Sequence, residues 1–252
     1  MFTVIEISEN KVSKWKGFLQ RFTRPEVSVI EENLPDGKSF YVCTAKIHRG
    51  KIPWREIKRL SPTENFLLPL NLNDYTEIKE YMPVKLPQIM LFNSAVSYIE
   101  KQNLSPSKTH ITVVDKRGIH IEKIRQLVKL ASSVTVITDE EIKYTELSDE
   151  LFDSYGISLI IRSEFYADSA KNSFLFDFDG EKVPLSYNGT VFLKTKMHLL
   201  SGKTLTPGGF DLPSEYERHL RKDINKLHFA SALYELCGVN ELASLQFNEL
   251  CS

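Results

Sequence analysis

Short β-branched or aromatic runs alternate along this chain with longer stretches whose apolar positions recur every three or four residues. FTVIEI (2–7) is the first apolar run. VSVIEENLPDGKSFYVCTAKI (27–47) sets two more around Pro35-Asp36-Gly37, and an Asp-Gly pair between β-rich runs predicts a hairpin. IPWREIKRL (52–60) predicts a short helix, with Pro53 suited to its first turn and Ser61-Pro62 ending it. FLLPLNL (66–72) and the stretch around Pro83 and Pro87 predict irregular connection. A boundary is therefore expected near residue 85, with residues 1–85 as a small α+β lobe.

From residue 86 the rhythm is regular. LPQIMLFNSAVSYIEKQNL (86–104) predicts a helix stopped by Ser105-Pro106. HITVVD (110–115), VTVIT (134–138) and ISLII (157–161) are continuous apolar runs of the kind found in strands covered on both faces. Between the first two, Ile124, Leu127, Val128 and Ala131 fall on one helical face. Between the second and third, Leu147, Leu151, Phe152 and Tyr155 mark another helix, ended by Gly156. Strand, helix, strand, helix, strand with short links requires parallel pairing, because parallel strands need crossovers. This architecture resembles Rossmann-fold proteins in general. The expected class is α/β, with residues 86–252 forming a Rossmann-like three-layer domain around a mostly parallel sheet.

Past Ser173 the runs FLFDF, KVPLSY and TVFLKTKM are separated by Asp179-Gly180 and Asn188-Gly189, dipeptides that predict a β-hairpin extension. Ser214 and Glu217 have the spacing of a capping box opening a long C-terminal helix. Its second half, FASALYELC, is apolar nearly all round, which predicts burial.

Composition narrows the function classes. With 252 residues, 42% of them hydrophobic, the chain is long enough to build a core without disulfides or metal. Lys and Arg number 32 against 33 Asp and Glu. A nucleic-acid binder draws much of its affinity from a basic excess, so nucleic acid is not an expected partner. The first sixty residues do lean basic, 12 against 7, but the excess is spread over several elements. Cys43, Cys237 and Cys251 are odd in number and far apart, which fits a reducing cytoplasm. No run approaches the roughly 20 apolar residues of a bilayer span, so no membrane is expected.

Three motifs bear on chemistry. FLFDFDG (174–180) resembles the nucleophile motif of haloacid-dehalogenase-type phosphatases, which would make Asp177 the nucleophile and Asp179 the acid/base. Glu181, however, stands where that family usually has Thr, and the βαβαβ run precedes the motif instead of following it. A strand and hairpin turn is the expectation. SGKT (201–204) has the tail of a P-loop, but Met197 occupies the first glycine position, and LTPGGF does not open a helix.

The third motif has its architecture in place. A Rossmann unit turns from its first strand through G-x-G-x-x-G into a helix that meets a pyrophosphate, and an acid after the second strand takes ribose hydroxyls. Asp139 has the right position for that acid. The first turn, VVDKRGIH, carries a single glycine, Gly118, with Asp115, Lys116 and Arg117 where the cofactor backbone would approach. Asp115, Lys116, Arg117, Gly118 and Asp139 are the candidate cofactor-contacting residues, and the sequence identifies no cofactor.

The histidines add little. Cys43 and His48 lie five apart on a strand run, on opposite faces. His219 and Asp223 are four apart on the expected C-terminal helix and can touch. No zinc cluster or nucleophile elbow appears. The expected function is non-catalytic binding of a small molecule or protein partner by a degenerate Rossmann-like domain. The alternative is an NAD(P)-type oxidoreductase working at the strand-end crevice.

Overall fold

A computed structural model of the chain describes residues 1–8, 25–47, 51–72, 77–165, 173–177, 184, 186–193, 199–200 and 202–252. His48, Met197, Asp179, Gly180, Glu181 and Ser201 lie outside the described residues. The chain divides into two compact units, residues 1–87 with 212–243, and 88–211 with 244–252. No helix among the described residues is long and apolar enough to cross a membrane.

The first unit carries a four-stranded sheet built from β1 (Thr3–Ser8), β2 (Val27–Asn33), β3 (Ser39–Lys46) and β4 (Phe66–Leu67) in the order β2-β3-β1-β4. β2 and β3 form the expected hairpin, antiparallel with Asn33 opposite Ser39. Gly37 turns it at φ +80°, a conformation that glycine adopts without steric cost. β1 runs parallel to both β3 and β4. The connection from β3 passes through helix α1 (Trp54–Leu60) to β4, on the far side of β1. Phe66 and Leu67, expected as irregular chain, are thus a strand. Their short run gives no period to read, and pairing with β1 decides it.

The long C-terminal helix expected from Ser214 is two helices. Ser214–Glu217 forms a single turn with no side-chain cap. The longer helix, Lys226–Leu236, starts at Asn225, whose side chain accepts hydrogen bonds from the N–H groups of Leu227 (2.9 Å) and His228 (3.1 Å). This helix clusters with the first unit, although the sequence grouped it with 86–252. Its residues Phe229 to Leu233 are buried as expected. Phe229 packs edge-on to both Phe2 and Phe40, which stack on each other at 5.1 Å.

The second unit holds a seven-stranded sheet. Its members are β5 (His110–Val114), β6 (Ser133–Ile137), β7 (Leu159–Arg162), β8 (Ser173–Asp177), β9 (Thr190–Phe192), β10 (Lys203–Pro207) and β11 (Leu250–Cys251). The order is β11-β10-β9-β8-β5-β6-β7, parallel throughout except for the β10–β11 pair. Chain order therefore advances from β5 to one side through β6 and β7, then jumps to the other side through β8, β9 and β10. That is the doubly wound Rossmann-like arrangement, with its switch point between β5 and β8.

The hairpin turn expected at Asp179-Gly180 lies outside the described residues. β8 lies parallel to β9 and to β5, and Phe174 through Asp177 are all buried. An antiparallel arm with one wet face would alternate; this run is covered on both sides, as a central parallel strand must be. Lys203 and Thr204 of the SGKT stretch belong to β10, so they do not form a loop entering a helix.

Two crossover helices follow the sequence pattern. Helix α3 (Ile121–Leu127) buries Ile124 and Leu127, and the turn after it buries Val128 and Ala131. Helix α4 (Glu141–Tyr155) buries Tyr144, Leu147 and Leu151 and ends at Gly156 in the left-handed conformation. Phe152 and Tyr155 face outward, at 59% and 63% exposure. Preceding both, α2 (Lys85–Lys101) opens the unit.

Candidate functional site

Open parallel sheets bind ligands beyond the carboxyl ends of their strands, at the switch point. In the second unit that edge is formed by the loop after β5, the loop after β6 and the end of β8. Val114 and Asp177 are paired across β5 and β8. Two acids therefore flank the switch point, Asp115 just beyond β5 and Asp177 ending β8, at 0% and 2% exposure.

Asp115 is committed to its own loop. Its carboxylate accepts hydrogen bonds from the N–H of Ile119 (3.1 Å) and the N–H of His120 (2.6 Å), and from the Tyr144 hydroxyl. The two amides belong to the turn that opens α3. In a dinucleotide-binding domain the amides of the turn between the first strand and its helix face the phosphates. Here the Asp115 side chain, four and five residues upstream, occupies the Ile119 and His120 amides. Tyr144 reaches the same carboxylate from the first turn of α4, which ties the two crossover helices through one buried group. Farther out, Arg125 forks onto Glu150, and the guanidinium hydrogen bond holds the Glu150 carboxyl below its usual range.

The remaining candidates are drawn into the same lacing. The Lys116 ammonium lies 2.8 Å from Asp139 and donates to the Ser163 carbonyl at 2.7 Å. Lys116 thereby joins the ends of β6 and β7. The Asp139 N–H donates to the Lys116 carbonyl at 3.1 Å, and the Lys143 ammonium reaches the Arg117 carbonyl at 3.4 Å. Gly118 sits at φ +63°, where a side chain is disfavoured. A Cβ there would lie 3.0 Å from Lys143 Cδ and 3.1 Å from Glu140 Cβ. The loop after β5 consequently lies against the start of α4.

The structure thus brings Asp115, Lys116, Arg117, Gly118 and Asp139 into one place; Asp115 and Lys116 face protein groups, while Asp139 pairs with Lys116 at the surface with its side chain 66% exposed. Sequence reasoning placed Asp177 in a different motif and missed its position beside Asp115, since only the jump from β7 to β8 makes them neighbours. It also missed Tyr144, one helical turn before Leu147. His219 pairs with Glu32 at 2.6 Å and not with Asp223. Cys43 is buried, and burial pushes its thiol up to about 11.

No family model matches the chain, and no curated protein matches it. Among solved structures, the crystal structure of L-tryptophan dehydrogenase from Nostoc punctiforme is similar over 80% of the chain at 12% identity, with a TM-score of 0.34. The chain spans 62% of the length of that structure.

Proposed function

We propose that this protein works by binding a small molecule or a protein partner without catalysis, and that its Rossmann-like unit is a scaffold whose dinucleotide edge is closed from within. The observation that carries this reading is the Asp115 carboxylate seated on the Ile119 and His120 amides. A diphosphate laid on that turn would have to displace a buried carboxylate from three donors and then sit beside it. Close like charges in a poorly solvated site repel strongly. The Lys116–Asp139 pair adds to the closure by engaging the acid that would receive a ribose hydroxyl.

The test is a calorimetric and thermal-shift titration with NAD, NADP, ATP and S-adenosylmethionine. A specific ligand at a hundredfold excess over its dissociation constant adds about 2.7 kcal/mol of stability, which is readily visible. The expected result is no saturable heat and no shift with any of the four. Saturable binding of NAD or NADP that weakens in Asp139→Ala would overturn this reading in favour of the oxidoreductase-like alternative.

A further inference from the structure

The first unit has a parallel-strand edge of its own. β3 and β4 flank β1, and the chain crosses from one side of β1 to the other between them, so the carboxyl end of β1 lies at a crevice of the kind that receives ligands. A cavity of about 770 Å³ lies there, lined by residues of this unit alone. That volume falls within the usual range for small-molecule sites. Ile5, Trp54, Leu72 and Ile224, all buried, supply its apolar wall.

The polar lining divides into a fixed part and an unengaged part. Arg221 is pinned between two carboxylates, 2.9 Å from Glu6 and 2.5 Å from Glu32. Glu6 also accepts from the Thr44 hydroxyl at 3.1 Å. By contrast, Lys51, Lys222, Glu77 and Asp223 line the cavity and have no ion pair among the described residues. Beside them, Ser8 Oγ is shielded from solvent with no hydrogen-bond partner among the described residues. A shielded, unsatisfied hydroxyl calls for a partner.

Among the described lining residues, the unengaged charges are two acids (Glu77, Asp223) and two bases (Lys51, Lys222) around a cavity with an apolar wall, and they give a field of neither sign. A purely anionic or purely cationic guest meets as much repulsion as attraction there, whereas a molecule carrying both charges can place each against its opposite. We infer that this cavity binds a zwitterion with an apolar body: a free ammonium and a free carboxylate on an apolar side chain, as in an amino acid or a short peptide. The inference rests on the binding reading above and gives it a site and a ligand class.

The experiment is isothermal titration of the full chain with leucine and leucyl-leucine, and with N-acetyl-leucine and leucinamide, each of which lacks one charge. Saturable binding is expected for at least one zwitterion, with the dipeptide arm separating a peptide site from an amino-acid site. Each single-charge analogue should bind about tenfold or more weakly than whichever zwitterion binds, the loss of one charge contact. The exposed substitutions Lys51→Glu and Lys222→Glu should weaken the zwitterion comparably while leaving far-UV circular dichroism unchanged. Absence of zwitterion binding, equal binding of either analogue, or unchanged affinity in both variants would overturn the inference. Each of these results is separate from the nucleotide titration, which can fail or succeed on its own.

Discussion

Replacing Asp115 with alanine tests the latch at the strand-end edge most directly. The carboxylate receives three hydrogen bonds, and two of the donors, the His120 N–H and the Tyr144 hydroxyl, are in buried surroundings. The Ile119 N–H is only partly buried, so water can take over its bond. Each buried donor left without a partner costs about 1–3 kcal/mol. Asp115→Ala should therefore destabilise by roughly 2–6 kcal/mol, from two such donors. Tyr144→Phe removes a donor without orphaning another group of the same kind and should cost about 1 kcal/mol. In the double variant only the His120 N–H is left without a partner, so the loss should fall short of the sum by about 2–4 kcal/mol, the signature of direct coupling. Urea unfolding followed by far-UV circular dichroism gives the free energies, and amide exchange at His120 reports the loop itself, which should open faster in Asp115→Ala. A loss below about 0.5 kcal/mol for Asp115→Ala, or strict additivity of the pair, would refute the latch.

Four further outcomes follow from local geometry and burial. Gly118→Ala should cost about 1–2 kcal/mol, because φ +63° places a Cβ in a disfavoured conformation and against Lys143 and Glu140; an unchanged melting temperature would contradict this. Phe229→Ala should cost about 3–5 kcal/mol by emptying the centre of the Phe2–Phe40–Phe229 cluster, measured in the same urea assay; a loss under about 1 kcal/mol would mean the cluster collapses around the gap. Near pH 8 a thiol reagent should modify Cys251 quickly and Cys43 only on unfolding, since Cys251 is exposed and Cys43 is buried. Burial raises the Cys43 thiol from 9.0 to about 11, so the unfolded chain loses that proton first, and stability should fall as pH rises from 9.0 toward 11. A Cys43→Ala variant should lose that part of the alkaline slope.

Much of the second unit was legible in the sequence. HITVV and SVTVI carry the continuous apolar character of strands covered on both faces, SLIIR forms the edge strand with Ile160 40% exposed, and the helices between them show their buried face at Ile124, Leu127, Leu147 and Leu151. The Asp36-Gly37 hairpin was legible because its turn chemistry is local. The candidate loop was legible as well: Asp115, Lys116, Arg117, Gly118 and Asp139 do lie together, because position after a strand is fixed by chain connectivity.

What those residues face was not legible. A carboxylate after a strand reads the same whether it meets a ligand or its own helix amides; only the path of the 115–120 turn and the arrival of Tyr144 from α4 decide between them. β8 lies between β5 and β9 and parallel to both, because strand pairing is settled by which faces must be buried over the whole sheet and not by the residues at a turn. The same holds for Phe66–Leu67, a strand only through β1, and for Lys226–Leu236, whose apolar surface gathers with Phe2 and Phe40 more than 180 positions earlier in the chain. Periodicity and turn chemistry are properties of neighbouring residues, so the sequence by itself determined the parallel strands of the second unit, the buried faces of the helices between them and the Asp36-Gly37 turn. Sheet order, the closure of the edge around Asp115 and the cavity at the end of β1 arise from contacts between distant segments, and only the tertiary structure decided them.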